Sequence, residues 1–304
     1  EQGHVFDLEI HVYYEQEHAS VRIVDTHTNI VQIEKNWQVI FEDETTSLEL
    51  KADHSALIMK QIWDFSQTVD IDDVKEILDR QITCNMAIAN EGIHNSYGAN
   101  IGHVILNMDS DCVKTRAKAY AAAGSDARMN GCELPVVINS GSGNQGITCC
   151  VPVVVYAKEL DCTQEQLYRA LVLSNLTAIY IKTGIGTLSA FCGAVSAGAA
   201  AGAGIAYLHN GTYKEIQHTI VNALAILSGT ICDGAKASCA AKIASSVDAG
   251  IMGYYMYKNK QQFYAGDGIV AHSVDETIQN IGTLGSQGML QTNDKIIEMM
   301  ISCD

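Results

Sequence analysis

Along the first forty or so residues, apolar side chains fall at every second position. The runs FDLEIHVYY, SVRIVD, NIVQIEK and WQVIFED alternate Val, Ile, Leu or Tyr with polar residues, and the clusters EQEH and DTHTN separate them. A period of two belongs to a strand with one face turned inward, so this stretch predicts an antiparallel meander of four strands. After Ser66 the period changes. VDIDDVKEILDRQ opens on acidic residues and spaces its apolar positions by three and four, as a capped helix does. ITCNMAIANEGIHNSY, GHVILNMD and CVKTRAKAYAAAGSDARMNG keep that spacing, and only Pro135 and Pro152 interrupt a chain otherwise suited to long helices. The pattern therefore predicts an α+β fold, with a small β-rich domain over residues 1–60 and a large, mostly helical domain over 61–304.

Charge narrows the function. A net charge of −16 argues against nucleic acid as a partner, because binding phosphates requires Lys and Arg to displace counterions. The ten cysteines are scattered and follow no leader-like segment, which points to a reducing, cytoplasmic setting. The uncharged run from Thr183 to Leu208 has the length of a membrane span. Its alanines and glycines make it only weakly hydrophobic, and Gly198, Gly202 and Gly204 suit close helix packing inside a soluble bundle, so no membrane association is expected.

Three stretches carry candidate chemistry. Cys192, Cys232 and Cys239 lie among small residues in FCGAVSAG and ICDGAKASCAAKIA. Two readings are open for them: buried thiols packing as small hydrophobes, or three ligands of a metal centre that keeps one position free. Residues 139–146, NSGSGNQG, place small residues between the apolar LPVVI and ITCCVPVVVYAKEL, so a flexible loop is expected to join two buried segments. Such a loop ahead of a helix exposes backbone N–H groups to an anion, a carboxylate as readily as a phosphate; a plain turn is the alternative. Gly141, Gly143 and Gly146 spell G-x-G-x-x-G, but no βαβ context follows and a dinucleotide is not expected. Lys182 is either an electrostatic partner for a carboxylate or the start of an exposed turn. Asp126 and Arg128 read as a solvated helix end, and Cys84, Cys112, Cys132, Cys149, Cys150 and Cys162 as packing residues.

The segments SGTICDGAKASCAAKIASSVDAG and IGTLSAFCGAVSAG resemble the cluster-binding parts of the iron-sulfur L-cysteine desulfidases, which are similar in turn to the alpha chains of bacterial iron-sulfur L-serine dehydratases. The resemblance runs from DTHTNIVQIEKN through SDARMNGCELPVVINSGSGNQGI to GDGIV, nearly the whole chain. It implies a 4Fe-4S cluster held by Cys192, Cys232 and Cys239. It also implies a substrate-facing loop of Ser140, Gly141, Ser142, Gly143 and Asn144 and raises His27, in the turn from Asp25 to Asn29, as a residue lining the site; His27 and, on its own chemistry, Lys182 are the candidates for catalysis. The implied reaction is β-elimination from L-cysteine or L-serine, with a small amino acid as substrate and a homo-oligomer compatible with the family. A non-enzymatic iron-sulfur or metal-binding protein is the competing reading. Family members place a Gly-Cys-Thr-Glu-Pro segment ahead of the strands, its cysteine acting as base. This sequence lacks that segment, so either a longer chain supplies it or a residue such as His27 takes its role; the first is the expectation.

Overall fold

The computed structural model describes residues 7–25, 29–43, 53–186 and 189–302. The chain divides into two compact units, Glu1–Asp53 and His54–Asp304. The first is the expected meander: β1 (Asp7–Tyr14), β2 (Glu17–Val24), β3 (Ile30–Lys35) and β4 (Gln38–Glu42) form one antiparallel sheet in chain order. The β3–β4 turn is two residues long, and both Asn36 (φ 50°) and Trp37 (φ 65°) take the left-handed conformation that matches a hairpin's twist. That conformation is costly for a bulky residue. Trp37 is held in it by stacking on the His18 ring, 4.1 Å between centroids and 14° between planes.

The second unit is helical: α1 (Met59–Thr68), α2 (Ile71–His94), α3 (Ile101–Leu106), α4 (Val113–Met129), α5 (Gly143–Glu159), α6 (Gln164–Ile185), α7 (Gly193–Leu208), α8 (Tyr213–Ile226), α9 (Cys239–Lys258), α10 (Val274–Thr283) and α11 (Leu290–Ile301). The architecture is thus α+β, as the periodicity predicts. Two expected helices merge into the single α2, since nothing between Gln81 and Ile82 breaks the spacing.

The unit is built around α7. This helix is apolar on all sides, and α5, α6, α8 and α9 enclose it. Its glycines let a neighbour approach to backbone contact: a methyl group on Gly198 would lie 2.4 Å from the Ser246 carbonyl carbon, and one on Gly202 would lie 2.6 Å from the Gly250 carbonyl oxygen. The run that has the length of a membrane span is therefore the core of a bundle. Among the described residues no helix is long and apolar enough to cross a membrane.

Two local expectations are corrected. LPVVI is not buried throughout: Leu134 and Ile138 are 40% and 54% exposed. With no neighbouring strand, its backbone finds a side chain instead, the fully buried Asn85 of α2, which accepts from the Val137 N–H (2.8 Å) and donates to the Val137 carbonyl (3.1 Å). Asp126 is not at a solvated end either. It is buried and accepts hydrogen bonds from the Gly102 and Ile101 N–H groups at the start of α3; burial raises its pKa and those N–H groups partly restore it.

Candidate active site

Asn139 and Ser142 exchange both backbone hydrogen bonds (3.1 and 3.0 Å) across Ser140 and Gly141, whose φ values of 48° and 76° make a tight left-handed turn. Ser142 then caps α5, its hydroxyl accepting from the Gln145 N–H. The turn is anchored from below. The Asn139 amide donates to the Asn175 side chain (3.0 Å), and Asn175 exchanges two hydrogen bonds with Gln81, both 2.9 Å or shorter. Ser140 joins this anchor by donating to Asn139 Oδ1 at 2.9 Å. Cys149 lies against the same network, its thiol 3.3 Å from Asn175 Oδ1 and its pKa pushed up to about 12 by burial. Gly146 closes the packing: a methyl group there would sit 2.0 Å from the Val137 carbonyl oxygen.

The three cysteines come from separate segments. Residues 190–192 and 230–232 run antiparallel, with the Cys232 N–H donating to Ala190 O (2.7 Å) and the Cys192 N–H to Thr230 O (3.1 Å). Cys192 is the residue that begins α7 and Cys239 the first residue of α9, so each sits at the positive end of a helix dipole. The Cys192 thiol donates to the Cys232 sulfur, which raises the Cys192 pKa and lowers that of Cys232; the Gly234 N–H, Lys242 and Lys182 assist the second effect. Cys239 accepts from the Lys236 N–H at 3.5 Å.

Lys242, one turn along α9 from Cys239, is a charge common to all three. It pairs with Asp233, and its charge acts on Cys192, Cys232 and Cys239. Lys182, in the last turn of α6, is buried beside Cys232 and Cys192; burial lowers its pKa and the two sulfurs push it back up.

The loop and the cysteines meet. Arg128, at the end of α4, donates to Asn144 Oδ1 (3.3 Å), lies 2.3 Å from where a methyl group on Gly143 would be, and has its charge raised in stability by Cys239 while burial opposes it. On the other flank, Gln145 presses on Gly193, where an added methyl would lie 2.7 Å from its amide. Gly193 follows Cys192 directly. The Gln145 Oε1 is buried with no hydrogen-bond partner among the described residues, as is the Ser196 hydroxyl in the first turn of α7. Such groups are costly when left unmet and mark where a ligand's donors fit.

Of the residues singled out in the sequence, Cys192, Cys232, Cys239, Lys182 and the Ser142–Asn144 end of the loop surround this place. Ser140 turns toward the anchor beneath it. His27 lies outside the described residues. Arg128, Gln145 and Lys242 were not selected by their sequence, though the glycines at 143 and 193 mark where two of them approach.

All nine described cysteines are free thiols. No group of three or more described His, Cys, Asp or Glu residues closes on a single ion.

Residues 10–298 match the family described as serine dehydratase alpha chain. A UPF0597 protein of Desulfitobacterium hafniense (strain Y51) is 56% identical over 98% of this chain and 70% of its own length. One from Lachnoclostridium phytofermentans is 52% identical over 93% of this chain and 68% of its own. A third, from Fusobacterium nucleatum, is 40% identical over 98% and 73%. A match that takes in the loop, all three cysteines and nearly all of both units leaves one conclusion: the chain belongs to the serine dehydratase alpha chain family.

Proposed function

We propose that the protein is an iron-sulfur lyase that removes the β-substituent of L-serine or L-cysteine, with Cys192, Cys232 and Cys239 holding a 4Fe-4S cluster. The family suggests a serine-dehydratase-like lyase and a small substrate. The observation that carries the finer reading is the meeting of three thiols from separate segments with the α5 loop, around Lys242 and Arg128. The donor set suits a cluster rather than a single ion. Cluster ligands bind different irons and need not converge on one point, and three thiolates leave one position open. The helix N-termini at Cys192 and Cys239, with the Lys242 charge nearby, offset the negative charge that cluster-bound sulfurs carry.

When bound, the cluster supplies a Lewis acid for a poor leaving group, hydroxide or sulfide. The chain's own residues do the rest. Arg128 and the first N–H groups of α5 take the substrate carboxylate, and Asn144, held by Arg128, fixes its orientation. Lys182, its pKa lowered by burial, is the group assigned to receive the α-proton in its neutral form. As the Cα–H bond breaks, its electron pair forms the Cα–Cβ double bond, and the leaving group departs with the pair of the broken Cβ–O or Cβ–S bond. The resulting aminoacrylate tautomerises and is hydrolysed to pyruvate and ammonia.

Anaerobic purification followed by assays with both amino acids tests the proposal. Iron and sulfide in the protein with pyruvate from serine or cysteine support it, and the faster substrate names the activity. Iron-loaded protein inert toward both would identify a non-enzymatic binding protein instead.

Two variants separate the assigned roles. Arg128→Gln should raise KM by about a hundredfold, the loss of a charge-assisted contact worth about 3 kcal/mol, at unchanged iron content. Asn144→Leu should act in the same direction, more weakly; equal loss of iron would make the loop structural. Lys182→Met should lower kcat by roughly a thousandfold, as removal of a proton-transfer group does. If it retains turnover with a full iron complement, the base lies elsewhere.

A further inference from the structure

The N-terminal sheet carries a second constellation. His11 on β1 and His18 on β2 share one face, since His11 pairs with Ser20 and Tyr13 with His18. Their rings are diagonal neighbours, His11 Nδ1 lying 3.1 Å from His18 Nε2. Glu9, on the same face, reaches the other nitrogen of His11, with Oε1 3.0 Å from Nε2. A carboxylate there holds the proton on Nε2 and leaves a lone pair on Nδ1, the arrangement that orients metal-binding histidines. His18 is clamped between the Trp37 ring (4.1 Å) and the Tyr13 ring (4.9 Å), and its Nδ1 has no hydrogen-bond partner among the described residues. Among the described residues the His18 ring therefore has one hydrogen-bond partner, the His11 Nδ1 lone pair, to which His18 Nε2–H donates, and an ion taken between the rings displaces that single shared proton.

We propose that His11 Nδ1 and His18 Nε2 bind one divalent ion of the kind that favours imidazole, Ni2+, Cu2+ or Zn2+. Two nitrogens each about 2.1 Å from a common ion lie about 3 Å apart, so the rings already have the required separation. Glu34, placed on the same face by the pairing of Ser20 with Glu34, adds a second carboxylate to that of Glu9 and makes the surroundings favourable to a cation. With two protein ligands, water completes the coordination. These residues belong to the first unit, and the proposal does not depend on the proposed lyase activity.

Trp37 reports on it directly. The chain has two tryptophans, so Trp63→Phe leaves Trp37 as the sole tryptophan, read by red-edge excitation that tyrosine does not absorb. Titrating that full-length protein with Ni2+ should give saturable quenching at one ion per chain, reversed by EDTA. His11→Ala should weaken the apparent affinity at least tenfold, and Glu9→Gln, which leaves both rings in place, about tenfold or more. His103→Ala serves as control and should change nothing. Quenching that does not saturate, or that is unaltered in both His11→Ala and Glu9→Gln, overturns the proposal. Because Glu9→Gln removes no ring packing, a folding defect in the histidine variant does not blunt the test.

Discussion

Cys232→Ala protein, reconstituted anaerobically with iron and sulfide, is expected to lose the cluster's visible absorbance and at least a thousandfold of its lyase turnover. Loss of a Lewis acid removes several kcal/mol of transition-state stabilisation, and each 1.36 kcal/mol is about one decade in rate. Cys232 is the most telling of the three because its sulfur already accepts the Cys192 proton and feels both Lys242 and Lys182, so it is the thiolate most readily offered to iron. Cys150→Ala is the matched control. That thiol is fully buried on α5 and burial raises its pKa well above normal, so it should cost some stability and no iron. Cys232→Ala protein with a full iron complement and normal turnover would remove Cys232 from the ligand set. Iron retained with turnover lost would keep Cys232 in the site as something other than a ligand.

The meander was legible because apolar residues recur at alternate positions through much of β1, β2 and β3 and the polar clusters EQEH and DTHTN separate the first three strands. The helical unit was legible in its elements, and even the role of Gly198 and Gly202 in close packing followed from their spacing on one helix. What failed was local. LPVVI has the composition of a buried segment, but Leu134 and Ile138 face outward and the Asn85 side chain supplies the hydrogen bonds that the Val137 backbone needs. Asp126 and Arg128, two residues apart, look like a matched surface pair. On a helix that spacing points them in different directions, one to the start of α3 and the other to the α5 loop. The cysteines have no regular spacing, so their meeting is a property of the fold: an antiparallel bridge unites 190–192 with 230–232, and Lys242 lies within reach of all three sulfurs' charge. No local pattern marks Lys242 or Gln145, because their neighbours are set by how α7 and α9 start, not by adjacent residues.

That shared start makes the α7–α9 contact the second decisive position. Gly250→Ala is expected to lower stability by about 3 kcal/mol, and Gly250→Leu to prevent recovery of folded protein. A methyl group on Gly250 would lie 2.2 Å from the Gly198 carbonyl oxygen and 3.1 Å from the Gly202 nitrogen. Both obstacles are backbone, so no rotamer change relieves the clash and the helices must separate. Alanine's better helix propensity returns about 1 kcal/mol, too little to offset that. Separation also has a chemical consequence, because α7 begins at Cys192 and α9 at Cys239. Gly250→Ala protein that still folds should therefore take up less iron than wild type although it touches no ligand. Gly229→Ala is the comparison: a methyl group there meets nothing within 4 Å, and its effect should stay within about 0.5 kcal/mol. Urea denaturation followed by circular dichroism, with iron analysis of the same samples, reads both effects. A Gly250→Ala midpoint equal to wild type would mean that the two helices do not approach to backbone contact, and the coupling of their packing to the cysteines would fall with it.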